Sequence, residues 1–128
     1  MKTSPRYLIL ILLCYLLYPQ EIKAITWTGT ASYYSETGCL GCSKTLTMAN
    51  GQRLDDRRLT LAMIPSTVRK YKLLNKNVTI RNSKTGASVV ATVTDTGGFG
   101  RYSRIADLSV ATKLAIGCGD LCRVEIVY

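Results

Sequence analysis

The feature that most constrains the fold of this 128-residue chain is a series of short segments rich in β-branched residues, separated by turns that contain glycine, asparagine or aspartate. Apolar and polar residues alternate in several of these segments, as they do in strands that bury one face. Strands are predicted at residues 26–35, 59–64, 77–82, 87–95 and 123–128. Many short strands with little helix indicate a mainly β protein, a small closed β-barrel.

Helical patterns are restricted to two short stretches. Residues 109–116 predict a helix whose N-cap is Ser109 or Asp107 and whose end is marked by Gly117. Residues 66–71 predict a helical turn. The barrel is therefore expected to carry one or two short helices.

The first 24 residues have the features of a signal peptide. Lys2 and Arg6 precede an apolar run at residues 7–18, and Ala24 offers a small residue for cleavage. Twelve apolar residues are too few to cross a hydrocarbon layer of roughly 30 Å comfortably. We expect residues 1–24 to be removed and residues 25–128 to form one exported domain with no stable membrane span, secreted, periplasmic or wall-associated. The alternative is a retained N-terminal anchor.

Four cysteines remain in that domain, in the short motifs "GCLGC" and "GCGDLC". Such pairs suit either a four-thiolate zinc site or two disulfides, and export favours the disulfides. Of the three possible pairings, we favour the two within the motifs, with pairing between the motifs as the alternative: Cys39–Cys42 and Cys118–Cys122. No metal or other cofactor is expected.

The chain contains no histidine, which excludes histidine-based acid–base catalysis and histidine metal ligands. Removing the signal peptide takes away three basic residues and one acidic residue, so the net charge falls from +9 to +7. Outside the cytosol, anionic partners of such a surface are cell-wall polymers, lipid headgroups or nucleic acid. The charge alone does not select among them, and it can also serve solubility.

Asp95 is the first candidate for a catalytic residue. It ends segment 87–95 at a position that alternates in step with the apolar residues of that segment, and three glycines follow within five residues. A carboxyl group in a partly dry recess can serve as a general acid, and glycines let a polymer approach the backbone. The alternative is an Asx turn that only shapes the loop. Asp107 is predicted to be a helix cap or an arginine partner. Asp55 and Asp56 are predicted to lie in a solvated turn, with Asp55 as a possible second carboxylate.

Five blocks of the sequence, in order along the chain, resemble the rare lipoprotein A family. These exported bacterial proteins carry a double-psi β-barrel related to those of expansins, barwin and family 45 glycoside hydrolases. The blocks are "GTASYYS" (29–35), "TMANGQRLD" (47–55), "LTLAM" (59–63), "NSKTGASVVATVTDTGG" (82–98) and "RIADLS" (104–109).

The resemblance implies a six-stranded double-psi barrel with a polysaccharide groove and, in catalytic members, a lytic transglycosylase that leaves 1,6-anhydro ends on peptidoglycan. The family's catalytic aspartate corresponds to Asp95. Thr94, Thr96 and Gly98 replace the family's asparagine, arginine and proline, and Met63 stands where those enzymes have the histidine that partners the aspartate. Methionine transfers no proton, and loss of a positioned acid–base group costs about 10²–10⁴-fold in rate.

Two main functions follow from these observations. The first is a lytic transglycosylase-like enzyme with Asp95 as acid/base, and the second is a non-catalytic glycan-binding or wall-loosening barrel. Both use a substrate groove whose predicted lining is Tyr33, Tyr34, Asp55, Arg101 and Tyr102. Both predict a monomer that binds polysaccharide and not nucleic acid. A third hypothesis is a secreted protein that recognises another protein through its basic face.

Overall fold

The protein is described by a computed structural model that covers residues 23–39 and 41–128, without the side chain of Arg101. The predicted signal peptide, apart from Lys23 and Ala24, lies outside the described residues. Within the part of the chain that is described, no helix is both long and apolar enough to cross a membrane.

Six strands close into a barrel in the order β1-β5-β2-β4-β3-β6, which confirms the predicted mainly β fold class. The strand bounds agree with the predicted segments within a few residues, except that β5 was not predicted as a strand. The strands are β1 Thr26–Tyr33, β2 Thr60–Met63, β3 Asn77–Asn82, β4 Ser88–Thr96, β5 Arg104–Leu108 and β6 Cys122–Val127. The pairs β1–β5 and β2–β4 are parallel, and the other four neighbouring pairs are antiparallel.

The barrel interior is filled by one side-chain set from every strand, as a half-buried strand pattern requires. In β3, for example, Val78 and Ile80 are buried while Thr79 and Arg81 are exposed. Each fully buried aliphatic side chain of this size stabilises the fold by about 1.5–3 kcal/mol relative to exposure. The interior includes Ala31, Leu61, Met63, Ile80, Val93, Leu108, Val124 and Ile126.

Among the described residues, two α-helices and one 3₁₀ helix connect the strands. Helix α1, Pro65–Tyr71, begins with proline at its first position, where no amide hydrogen is needed. A 3₁₀ helix, Gly98–Tyr102, joins β4 to β5. Helix α2, Val110–Ala115, has Ser109 as its N-cap. The predicted alternative, Asp107 as the cap, is wrong because Asp107 lies within β5.

A second apolar cluster covers the outer side of β2. Loop residues between β1 and β2 bring Tyr34, Met48 and Leu54 against Ala62 and Phe99. Cys39 and Cys42 pack on this cluster and form a disulfide with a Cα–Cα distance of 5.6 Å. The loop is thereby fixed against the barrel, and part of it lines a surface cavity.

Candidate functional site

A register shift in β4 decides where Asp95 points. Leu61 of β2 pairs with Val93, but Ala62 pairs with Asp95, so Thr94 is an extra residue on β4. Without the shift, Asp95 would face the interior like Val93, because alternate residues of a strand share a face. With it, Asp95 lies on the outer face beside Ala62, as irregularities next to functional sites often re-aim a side chain.

The same register places a second carboxylate on the other side of Ala62. Ala62 also pairs with Asp107 of β5, and Asp107 pairs with Ser32 of β1. The four residues therefore form one row across four neighbouring strands, in the order Ser32, Asp107, Ala62, Asp95. Two interstrand spacings, roughly 9.5 Å, separate the backbone positions of the two aspartates.

Three donors hold the carboxylate of Asp95. Its Oδ1 accepts hydrogen bonds from the backbone N–H groups of Ala49 and Thr96, both at 2.9 Å. Its Oδ2 accepts a hydrogen bond from the hydroxyl of Tyr34 at 3.3 Å. Asp95 thus joins the loop after β1 to the end of β4, and a carboxylate with donors on both oxygens is fixed in orientation.

Tyr34 lies under this contact and is buried. Burial raises the pKa of its phenol above the usual value, and the charge and hydrogen bond of Asp95 raise it further. Its hydroxyl also lies 3.8 Å from the sulfur of Met48. Tyr34 is therefore a neutral hydrogen-bond donor, and it orients Asp95 from below the surface.

Asp107 has a different environment. It accepts one side-chain hydrogen bond, from the hydroxyl of Ser32 at 3.0 Å. Burial raises the pKa of Asp107, and the charge of Asp95 acts in the same direction, while Ser32 and Arg104 oppose the rise. A carboxyl group whose protonated form is favoured by burial is suited to donate a proton or a hydrogen bond.

Both aspartates line an open cavity of about 680 Å³, which we call the Asp95 groove. Its lining includes Tyr33, Tyr34 and the Cys39–Cys42 disulfide from the end of β1 and the loop after it, and the glycine-containing loop after Asp95 with Tyr102. Tyr33 is 37% exposed and Tyr102 is 61% exposed, so two aromatic side chains reach the solvent there. Lys113 covers one face of the Tyr33 ring at 4.0 Å, and Arg104 lies 5.2 Å from the Tyr102 ring.

The structure brings Tyr33, Tyr34, Asp95 and Tyr102 to the groove, but not all of the predicted residues. Asp55 lines a separate, smaller cavity and pairs with Arg57 and Arg58. The hydrogen bond from Arg57 holds the pKa of Asp55 below its usual value. Asp55 is therefore not a groove residue.

Met63 and Arg101 are the two remaining predicted positions. Met63 is 1% exposed and belongs to the barrel interior, so its side chain is not among those lining the groove. Its carbonyl accepts a hydrogen bond from the backbone N–H of Gly97, two residues after Asp95, at 3.3 Å. Arg101 belongs to the 3₁₀ helix, and its side chain lies outside the described residues.

The four cysteines form two disulfides, Cys39–Cys42 and Cys118–Cys122, the favoured pairing within each motif. The second has a Cα–Cα distance of 5.4 Å and ties the chain after α2 to the start of β6. Among the described residues, no group of three or more acidic, histidine or cysteine side chains could hold a metal ion.

Asp107 is the groove residue that sequence reasoning assigned to another role. The sequence "DLSVAT" places a capping residue before a helix, and it made Asp107 a candidate for that cap. The signal that could have identified it is the alternation of Ala106, Asp107 and Leu108, which is a strand pattern with the aspartate on the opposite face.

Comparison with known proteins shows the fold. No known family profile matches the chain, and no curated protein matches it. Among solved structures, an apo expansin from Clavibacter michiganensis matches with a TM-score of 0.57 and 19% identity, over 80% of this chain and 49% of that one. An aspartate-to-asparagine variant of that expansin in complex with cellohexaose matches with a TM-score of 0.57 and 18% identity, over the same shares.

A Streptomyces papain inhibitor matches with a TM-score of 0.55 and 17% identity, over 80% of this chain and 94% of that one. The chain thus spans about half the length of the expansin. At these identities the likeness defines the class of fold, a closed double-psi-type barrel shared with expansins. The narrower resemblance to the rare lipoprotein A family is carried by the sequence motifs.

Proposed function

We propose that the chain is an exported domain that binds a cell-wall polysaccharide in the Asp95 groove without cleaving it. The observation that carries this proposal is the pairing of two exposed tyrosines with two carboxylates along one open cavity. Sugar rings stack their C–H faces on aromatic rings, while carboxylates accept hydrogen bonds from sugar hydroxyls. The expansin of similar fold was solved in complex with cellohexaose, which supports a glycan as the ligand.

Two features favour binding over cleavage. Asp95, the counterpart of the family's catalytic aspartate, is engaged in joining two segments of the chain through three hydrogen bonds. Met63, at the position of the family's histidine, has its side chain inside the barrel. Two disulfides and the predicted signal peptide support a location outside the cytosol.

Retention on insoluble glycans tests the proposal. Purified protein is incubated with peptidoglycan, chitin and cellulose, and the bound fraction is measured together with any sugar ends released. We expect retention on one or more glycans with no new ends. Tyr33→Ala and Tyr102→Ala should each weaken binding about tenfold, a typical cost of removing a central aromatic contact.

Tyr128→Ala is the matched control, because Tyr128 is also exposed but does not line the groove. It should bind like the wild type. Unchanged retention of the Tyr33→Ala/Tyr102→Ala double variant would contradict the proposal.

Cleavage of the glycan is the second candidate function, and the environment of Asp107 favours it. Its pKa is raised by burial, and a second carboxylate lies on the other side of Ala62 in the same groove. A lytic transglycosylase would leave 1,6-anhydro ends on glycan strands, whereas a hydrolase would leave reducing ends. Products formed by the wild type and lost in Asp107→Asn or Asp95→Asn would replace the binding proposal with this one.

A further inference from the structure

Positive charge is concentrated in one stretch of the chain whose lysines and arginines do not line the Asp95 groove. Between Asp56 and Asp95 there are thirty-eight residues with eight lysines or arginines and no acidic residue. Half of these cations lie in or just after α1: Arg69, Lys70, Lys72 and Lys76. This stretch accounts for nearly all of the net charge of +9.

Among the described residues, the cations in and after α1 differ from the four arginines that form salt bridges. Arg53, Arg57, Arg58 and Arg81 each form a salt bridge. In contrast, the salt bridges of the described residues include none of the four cations in and after α1, all of which are exposed. An uncompensated cluster of this kind attracts anions.

Two of these cations border a cavity of about 460 Å³, which we call the basic recess. Its remaining lining is mostly apolar, and the six residues are Pro65, Val68, Arg69, Lys72, Leu74 and Thr96. Thr96 also lines the Asp95 groove, so the two cavities meet at that residue. The recess therefore adjoins the groove, and its lining combines apolar side chains with the positive charges of Arg69 and Lys72.

The backbone conformation at Lys72 is one that lysine adopts at a conformational cost. Lys72 is the C-cap of α1 and has φ 52°, a left-handed conformation that helix ends usually fill with glycine. The position therefore carries a side chain despite a conformational cost. This makes it possible to remove the charge with a substitution that the fold favours.

We propose that the basic recess binds carboxylate groups of an acidic polysaccharide whose chain continues from the Asp95 groove. This rests on the proposed glycan binding and assigns the ligand to carboxylated glycans. Tyr71, the aromatic residue of α1, packs edge-on against Trp27 at 5.3 Å and lies under Lys70. None of the described residues that line the recess is aromatic, so the recess offers bases no stacking platform, which favours a polysaccharide there over single-stranded nucleic acid.

Two matched ligand pairs test the charge preference. The first pair is β-1,4-linked hexaglucuronate against cellohexaose, which share linkage and length. The second is amidase-treated peptidoglycan strands with free lactyl carboxylates against chitohexaose. Dissociation constants are measured by calorimetry at low and at physiological ionic strength. In at least one pair the acidic member should bind about tenfold more tightly at low salt, and added salt should reduce this difference.

The recess variant is Arg69→Gln with Lys72→Gly, and the charge-matched control is Lys84→Gln with Arg123→Gln, which lie outside both cavities. The recess variant should lose the acidic preference and still bind the neutral member. The control should keep the preference. Lys72→Gly alone should keep or raise the melting temperature, because glycine adopts the left-handed conformation readily, so lost binding would not reflect unfolding.

These measurements distinguish failure of the recess proposal from failure of the proposed glycan binding. If the neutral glycans bind and the acidic ones gain nothing, or if the control loses as much as the recess variant, the recess proposal is overturned and glycan binding stands. If none of the four ligands binds, both proposals fall. Tighter binding of single-stranded DNA, or of vesicles containing phosphatidylglycerol, that depends on Arg69 and Lys72 would assign the recess to a different partner.

Discussion

Asp95 and Asp107 stand in the same register with Ala62 and face the same groove, but the barrel holds them differently. Asp95 is bound by three donors, two of them from the backbone. Asp107 has one side-chain donor, Ser32, and a pKa raised by burial. Asp95, which the sequence motifs identify as the counterpart of a catalytic residue, is therefore held by more hydrogen bonds. Asp107, which the sequence predicts as a helix cap, has the environment of a proton donor.

The largest expected difference between the two aspartates is the effect of Asp95→Ala on stability. The substitution leaves the N–H groups of Ala49 and Thr96 and the hydroxyl of Tyr34 without their acceptor. We expect the free energy of unfolding to fall by about 3 kcal/mol, since hydrogen bonds to charged groups contribute more than neutral ones. Urea unfolding measures it.

Asp95→Asn is the control because its amide oxygen can still accept the two backbone hydrogen bonds. The free energy of unfolding should fall clearly less in Asp95→Asn than in Asp95→Ala. Equal stability of wild type and Asp95→Ala would show that Asp95 does not join the loop to β4.

Tyr34→Phe should produce the next largest effect, a loss of about 1 kcal/mol, because it removes a single hydrogen bond to Asp95 and keeps the buried ring. Double-mutant cycles sharpen the result. Tyr34→Phe and Asp95→Asn should be non-additive, whereas Tyr34→Phe and Asp107→Asn should be close to additive. Strong coupling to Asp107 alone would mean that Tyr34 serves the other carboxylate.

The sequence predicts the barrel better than the direction of its functional side chains. Strands β3 and β4 were located to within one residue at each end, because Val78, Ile80, Ala91 and Val93 alternate with polar or less buried neighbours. The favoured pairing within each cysteine motif, one of three that the sequence left open, is also confirmed. These are local properties, which residue spacing reports directly.

The orientation of Asp95 could not be predicted, because it depends on one extra residue, Thr94, in the pairing with β2. Strand alternation alone puts Asp95 inside the barrel with Val93. Asp107 was predicted as a helix cap for a related reason, because its hydrogen-bond donor Ser32 lies on β1, distant in sequence. Asp55 lies beside Arg57 and Arg58, as its predicted solvated turn implies, and it lines a different cavity. The row across β1, β5, β2 and β4 exists only after the sheet closes.

Asp107→Asn should change stability in the opposite direction from Asp95→Ala. Because the folded-state pKa of Asp107 is raised, the folded protein binds its proton more tightly than the unfolded chain. Stability attributable to Asp107 is therefore present below its unfolded pKa of about 3.8 and is lost as the pH rises through the folded value. At neutral pH, Asp107→Asn should match or exceed the wild type by less than about 1 kcal/mol.

The measurement is thermal or urea unfolding of both proteins between pH 3 and pH 7. The advantage of Asp107→Asn should grow with pH above the unfolded pKa and disappear at the acidic end. An advantage that is constant with pH would reflect repacking of the side chain and not its charge.

Ser32→Ala should have the smallest effect on stability, a loss of about 0.5 kcal/mol, because Asp107 is partly exposed and water can replace the lost donor. The more informative effect of Ser32→Ala is on the pKa of Asp107. The hydrogen bond from Ser32 lowers the pKa of Asp107, so its removal should raise that pKa further. Carboxyl chemical shifts followed by NMR report this for Asp107, with Asp55 as the internal reference because it lies in a different cavity. A fall in the Asp107 pKa, or an equal shift at Asp55, would show that Ser32 does not act on Asp107 through this bond.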